Sequence, residues 1–241
     1  MKVKAIISAL MLMACGMASA QTKTYLNVET APGVYKSFEV NENLKISWGE
    51  KKEVPPTKGT AERTGSVNVR WVQLWENGPK FAEYNVGATN NKAEDYGGYY
   101  AWGGSQDKVA DQNTGTDALS GDSDTATKLW GSNWRMPKQG ELEGLLANCE
   151  VEWTTNYNGT GKNGLLCTGK DAYSSNSVFL PAASLCIEGG VYEQGYYGYY
   201  WSSTPDGSDG AYSLYFDSRG QCVDFFGRYG GCSVRAVFAE E

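Results

Sequence analysis

Apolar residues recur along this chain at two periods, and the periods mark out its elements. Leu142, Leu145, Leu146 and Cys149 stand at i, i+3, i+4 and i+7, one stripe of an α-helix. Pro137 suits the first turn, and Glu141 and Glu143 lie near the helix end that favours acids, as structural rather than catalytic groups. Gly140 and Gly144 each weaken the helix by about 1 kcal/mol against Ala, so tertiary packing must hold it. Elsewhere the period is two, or the apolar runs are short. Val67, Val69, Trp71 and Val72 predict a strand, and Phe81, Tyr84 and Val86 a second, with a turn at 75–79 between them. Short strands are expected at 151–153, 164–168 and 178–180, with Asn158-Gly159 and Asn163-Gly164 as turn signals. Residues 211–216, 221–226 and 233–238 close the chain as strands. One helix among many short strands predicts an α+β fold with an antiparallel sheet.

Upstream, residues 24–49 read as a small β meander. Tyr25, Leu26 and Val28 lead to the Ala31-Pro32-Gly33 turn; Phe38 and Val40 return, and Leu44, Ile46 and Trp48 alternate again. A unit this small is not stable alone, so residues 21–49 are expected to pack on the main domain or dock with a partner. Residues 50–66, with Pro55-Pro56 and almost nothing apolar, read as a linker, and 67–241 as the main domain. Residues 107–124 read as an exposed polar loop. Asp107, Asp111, Asp117, Asp122 and Asp124 offer calcium ligands there but lack EF-hand spacing, and a solvated loop is preferred.

Residues 1–20 have the form of an export signal: Lys2 and Lys4, an apolar run from 5 to 14, then Ala18-Ser19-Ala20. Cleavage after Ala20 fits best. Lipidation at Cys15 is the rival, which Met13 fits poorly. The expected product is exported, secreted or displayed at a bacterial cell surface, with no membrane-spanning segment. Loss of Lys2 and Lys4 takes the formal net charge from −7 to −9, and no basic stripe points to nucleic acid. The sequence has no His. That excludes Ser-His-Asp and Cys-His nucleophiles and His-ligated metal sites. No catalytic residue, metal or cofactor is expected. Past the signal stand Cys149, Cys167, Cys186, Cys222 and Cys232. The first three read as small buried residues, while Cys222 and Cys232 are left open between a hairpin disulfide and separate thiols.

Residues 195–238 crowd Tyr, Phe, Trp, Gly, Asp and Ser together. These types dominate antibody loops, since Tyr adds contact area at little entropic cost. The stretch reads as a binding face on a rigid sheet, with Asp209, Tyr212, Tyr215, Asp217, Asp224, Phe225, Phe226 and Tyr229 as ligand-binding residues. Side chains alternate along strands, so about half of the aromatics are expected to point inward. Trp134, Trp201 and Arg235 are assigned to scaffolding.

Residues 85–88 with 94–97 and 100–103, Trp134-Arg135-Met136-Pro137 with Glu141, 179–183, 200–204 and 233–235 together resemble the Fibrobacter succinogenes major paralogous domain family. The resemblance covers most of 71–237 and implies a C-type-lectin-like fold, a scaffold rather than an activity. Lys138 departs from the family's Thr, so the reciprocal helix cap is lost and a looser helix start is expected. Ala236 stands where Pro is common. The calcium-sugar strings of sugar-binding C-type lectins do not occur. The closing stretch also resembles variable regions diversified by retroelements: Asp209, Tyr212, Tyr215, Asp217, Cys222, Asp224, Phe225, Phe226, Gly227, Tyr229, Gly230, Cys232 and Ser233 are types reachable by adenine mutation of one Asn codon. The alternative is an undiversified domain in which aromatic-Gly turns are common.

The leading expectation is an exported, adhesin-like binding module for a surface protein or glycan. The alternatives are an enzyme of the formylglycine-generating type, which would need two close cysteines, and a fimbrial or surface-layer component using residues 21–49 for docking.

Overall fold

The computed structural model describes residues 5–9, 24–31, 34–40, 57–106 and 108–239, the first three ranges by backbone pairing alone. The chain divides into two compact units, Met1–Val54 and Pro55–Glu241. In the first, β1 (Ala5–Ala9), β2 (Thr24–Ala31) and β3 (Val34–Val40) form an antiparallel sheet in that order, with Leu26 opposite both Ile7 and Phe38. The β2–β3 hairpin matches the start of the expected meander. Ala5–Ala9 falls within the stretch read as a leader and is here a strand; its β-branched Ile6 and Ile7 suit that state as well as an apolar leader. Leu44, Ile46, Trp48, Cys15 and Ala18-Ser19-Ala20 lie outside the described residues.

The second unit is α+β. Its first strand, β4 (Lys58–Arg63), pairs with β5 (Val67–Gln73) over the whole of its length. This corrects the linker reading of 50–66 at its C-terminal end. Only Ala61 of β4 is buried, so the strand carries no apolar alternation. It is held by its backbone ladder and by what it accepts: the Trp134 indole N–H donates to the Glu62 carbonyl at 3.1 Å. Beyond β5 come β6 (Lys80–Ala82), β7 (Trp134–Arg135), β8 (Cys149–Thr154), β9 (Gly164–Gly169) and β10 (Ser177–Pro181). A small hairpin, β11 (Leu185–Ile187) and β12 (Gly190–Tyr192), precedes three long strands, β13 (Gly198–Asp206), β14 (Gly210–Asp217) and β15 (Gly220–Gly227). The last strand is β16 (Val237–Phe238). The sheets run β4-β5-β6-β16-β7, β10-β9-β8 and β13-β14-β15. β16 therefore inserts between β6 and β7, and the two ends of the unit meet in one sheet.

Two α-helices lie among the described residues, α1 (Thr125–Trp130) and α2 (Gln139–Asn148). On α2, Leu142, Leu145 and the following Cys149 are buried, as the stripe predicts. Gly144 sits against Trp75, where a Cβ would come within 3.0 Å of the indole. The start of α2 is braced more firmly than Lys138 suggests. Thr204 Oγ1, from β13, accepts from the Gln139 N–H at 3.0 Å, and Glu141 accepts from the Lys138 N–H at 2.7 Å. Arg135 clamps Glu141 with two bonds of 2.7 and 2.6 Å. α1 is not visible in the sequence: six residues show no period, and its N-cap, Asp124, falls among the calcium candidates.

Trp71, Trp102, Trp130, Trp134 and Trp201 dominate one core cluster; Leu142, Leu145, Leu165, Leu180, Leu214 and Phe216 dominate the other. Arg235, 1% exposed, joins the β6 strand region to β10. It donates to Asn85 Oδ1 at 2.8 Å and to the carbonyls of Ala82, Glu83 and Phe179 at 3.1, 2.8 and 3.0 Å. Burial lowers its pKa to about 10, still far above neutrality. Arg235→Leu strands three carbonyls and an amide oxygen in the interior, each costing about 1–3 kcal/mol if left unpaired. The expected loss is at least about 3 kcal/mol, read as a lower urea midpoint with unchanged slope by Trp fluorescence.

Candidate functional site

The three-stranded sheet β13-β14-β15 carries every residue expected to bind ligand except Asp209 and Tyr229, which flank it in loops. Its register divides them between two faces. β14 pairs Ala211 with Phe226, Ser213 with Asp224 and Tyr215 with Cys222. The alternate pairs are Tyr212 with Phe225 and Leu214 with Val223. With a side-chain period of two, Tyr215, Asp224 and Phe226 share one face, and Tyr212 and Phe225 stand on the other, beyond the Leu214 and Phe216 that pack into the core. The expected single patch is thus corrected: Tyr212 and Phe225 do not belong with Tyr215 and Phe226.

The Tyr215 face bears a continuous series of rings. Tyr197 and Tyr215 have centroids 6.3 Å apart, Tyr215 and Tyr199 5.0 Å, Tyr199 and Phe226 5.1 Å, and Phe226 and Tyr229 6.3 Å. These spacings fall in the range where ring pairs attract. Trp201, fully buried, lies 5.7 Å from Phe226 and roots the series in the Trp-rich core. Tyr197, Tyr199, Tyr215 and Phe226 are half-buried, Tyr229 is 49% exposed, and Asp224 and Cys222 are exposed. Glycines make room for the rings: a Cβ on Gly227 would strike Tyr229, and one on Gly230 would strike Phe226.

Asp217 is on the same face but is not available. It is 6% exposed, and its carboxylate accepts from the Arg219 side chain at 2.7 and 3.0 Å and from the Tyr215 hydroxyl at 2.9 Å. It also accepts from the Arg219 and Gly220 N–H groups at 2.7 and 3.2 Å. Asp217 thus closes the two-residue turn between β14 and β15. The Arg219 guanidinium, then these backbone donors, hold its pKa down at about 2. Asp209 is exposed in the β13–β14 loop, and its carbonyl accepts from the Arg228 N–H at 3.0 Å. Asp224 is exposed, and its Oδ1 accepts from the Phe225 N–H at 2.8 Å. Burial pushes the Tyr199 hydroxyl up to about 12, so this ring is neutral at physiological pH.

Sequence reasoning missed Tyr197, Tyr199 and Arg228. The two tyrosines were legible as odd positions flanking Gly198 in the run 195–201. Arg228 was not. It is 1% exposed, with its guanidinium carbon 4.0 Å over the Trp102 ring. It donates to the carbonyls of Gly210, Gly207, Asn113 and Gly115 at 2.8, 2.8, 3.0 and 2.7 Å. One side chain, between Phe226 and Tyr229, thereby ties the β13–β14 loop and the 113–115 segment to the ring-bearing face.

The loop read as solvated, 107–124, is anchored at several points. Asn113 and Leu119 donate backbone bonds to Trp102 and Ser203. Asp111 accepts from Ser105 and Gln106, and Asp124 from Thr127 and Met136. Their carboxylates organise backbone, and the described residues hold no group of three or more metal-binding side chains. Cys149, Cys167 and Cys186 are buried, as expected. Cys222 is a free thiol at the surface and Cys232 is buried beside Tyr100, so no disulfide links them. Burial and the nearby Asp224 raise the Cys222 pKa, which disfavours the reactive thiolate. Among the described residues no helix is long and apolar enough to cross a membrane. Comparison with protein-family models, curated proteins and solved structures finds no match.

Two outcomes follow from this geometry. The Asp217 pKa lies below its ordinary value, so the unfolded chain binds more protons between about 4 and 2. The carboxylate's contribution is complete above that window and is lost as pH falls through it. Carboxyl NMR titration should place Asp217 near 2, and Arg219→Ala should move it towards the ordinary carboxylate value of 3.8. In hydrogen exchange, Arg228→Gln should raise the rates at 113–115 and 207–210 about tenfold or more, leaving α2 unchanged.

Proposed function

We propose that this chain is an exported, adhesin-like binding module whose contact surface is the Tyr215 face of β13-β14-β15. The observation that carries this reading is the ring series from Tyr197 to Tyr229, partly open to solvent and anchored on buried Trp201. Rigid rings bind with little loss of side-chain freedom, and Asp224 beside them directs hydrogen bonds. The partner is a surface protein or a glycan.

The scaffold is read as C-type-lectin-like, in the manner of the major paralogous domain family. Supporting this, the residues of the resemblance cluster in the interior. Asn85 joins Arg235 and Tyr200, the Trp102 and Trp201 indoles bond backbone across the core, and Arg135 holds Glu141. The meeting of both ends in one sheet agrees with it. On the diversification reading, variation belongs at Tyr215, Cys222, Asp224, Phe226 and Tyr229. It does not belong at Asp217, Gly227, Gly230, Cys232 or Ser233, which are buried supports. A near-identical template copy beside the gene, differing only at adenines, would bear this out.

The two faces provide an internal control. The full chain is probed against arrays of glycans and surface proteins, and each binder is retested with variants. Tyr229→Ala and Asp224→Ala should each weaken binding about tenfold or more, whereas Phe225→Ala, on the opposite face, should change it less than about twofold. Equal losses at Phe225, or none at Tyr229 and Asp224, would place the contact surface elsewhere.

A further inference from the structure

A second concavity lies on other strands. Residues of β4, β5 and β10 with their neighbours enclose a groove of about 210 Å³. Lys58 pairs opposite Val72, so Lys58, Val72 and Arg70 share one face of the β4-β5 ladder. Tyr157, Ser175, Ser177 and Val178 line the other side. The Tyr157 ring lies flat on Phe179, with centroids 3.8 Å apart and planes within 2°.

The charges of the groove do not cancel. Lys58 Nζ donates to the Ser175 carbonyl at 2.8 Å, and no described carboxylate forms an ion pair with it. Arg70 and Glu83 form a solvent-accessible salt bridge at 3.6 Å, beyond direct hydrogen-bond distance, so Lys58 is the cation left without a carboxylate partner among the described residues. Two cations and one carboxylate leave a single positive excess, in a chain of formal net charge −7. Val72 and Val178 form the buried floor of the lining, and the Tyr157 ring is its half-buried apolar group.

We propose that this groove binds a hydroxylated monocarboxylate of monosaccharide size, a sugar acid. The ligand carboxylate answers the positive excess at Lys58 and Arg70. Glu83 and the Ser175 and Ser177 hydroxyls take the ligand hydroxyls, and the half-buried Tyr157 ring takes its C–H face. The volume is below the roughly 300–1,000 Å³ usual for drug-sized ligands, which sets the size. Phosphate is disfavoured, since it has no apolar face and Glu83 opposes its second charge. The groove and the ring-bearing face share no residue, so the two proposals stand or fall separately.

The probes are D-glucuronate, D-glucose and inorganic phosphate, titrated into the full chain and followed by calorimetry and backbone amide NMR. Glucuronate should bind saturably, with shifts confined to residues around 58, 70 and 175–179. Glucose, matched in size but neutral, should bind at least about tenfold more weakly, as should glucuronate to the Lys58→Gln, Arg70→Gln double variant. Both side chains are exposed, so the double variant should keep its unfolding midpoint. Tyr229→Ala should leave glucuronate binding unchanged. No saturation by glucuronate, equal binding of glucose, tighter binding of phosphate, or full affinity in the double variant would each overturn the proposal.

Discussion

Arg228 is a buried cation that, among the described residues, has no carboxylate in its hydrogen-bond shell. Its charge is satisfied by four backbone carbonyls and by the face of Trp102. Such an arrangement exists only if every contributing segment is in place together, because each missing carbonyl leaves a donor of a desolvated cation unpaired. The β13–β14 loop, residues 113–115 and the turn bearing Tyr229 are therefore fixed by one group. Arg235 plays the same part at the other end of the core, drawing on Ala82, Glu83, Asn85 and Phe179. Two guanidinium groups thus organise much of the irregular backbone around sheets that are individually small.

This arrangement suits a molecule that holds a face still. The rings from Tyr197 to Tyr229 are packed against one another and against Trp201, and glycines at 227 and 230 let them lie close to the backbone. Ring motion is already restricted by this packing. Asp217, which composition places among the contact residues, instead fixes the turn beneath Tyr215. The same residue type thus serves opposite ends at positions 217 and 224, and its donors decide which.

Much of the architecture was legible because it rests on local pattern. The stripe Leu142, Leu145, Cys149 is a helix face wherever it is placed, and its burial in α2 follows. The strands at 67–73, 149–154 and 210–227 were found from alternation and turn residues, although their exact ends shifted. β4 was missed because an edge strand with one buried residue shows no alternation. α1 was missed because six residues are too few to show a period. The cap of α2 was misjudged because its donor's partner, Thr204, lies on another strand.

Legible in the chain alone are the aromatic and glycine-rich composition of 195–238, the lack of His, the α+β pattern and the acidic balance. These depend on residue type and on spacing along one element, which the chain carries locally. Which rings stand together depends on the folded sheet, because the pairing register between strands sends alternate residues to opposite faces. The β4–β5 register likewise sets exposed Lys58 near Arg70, whereas buried Arg228 is satisfied by segments that meet in space and are distant along the chain.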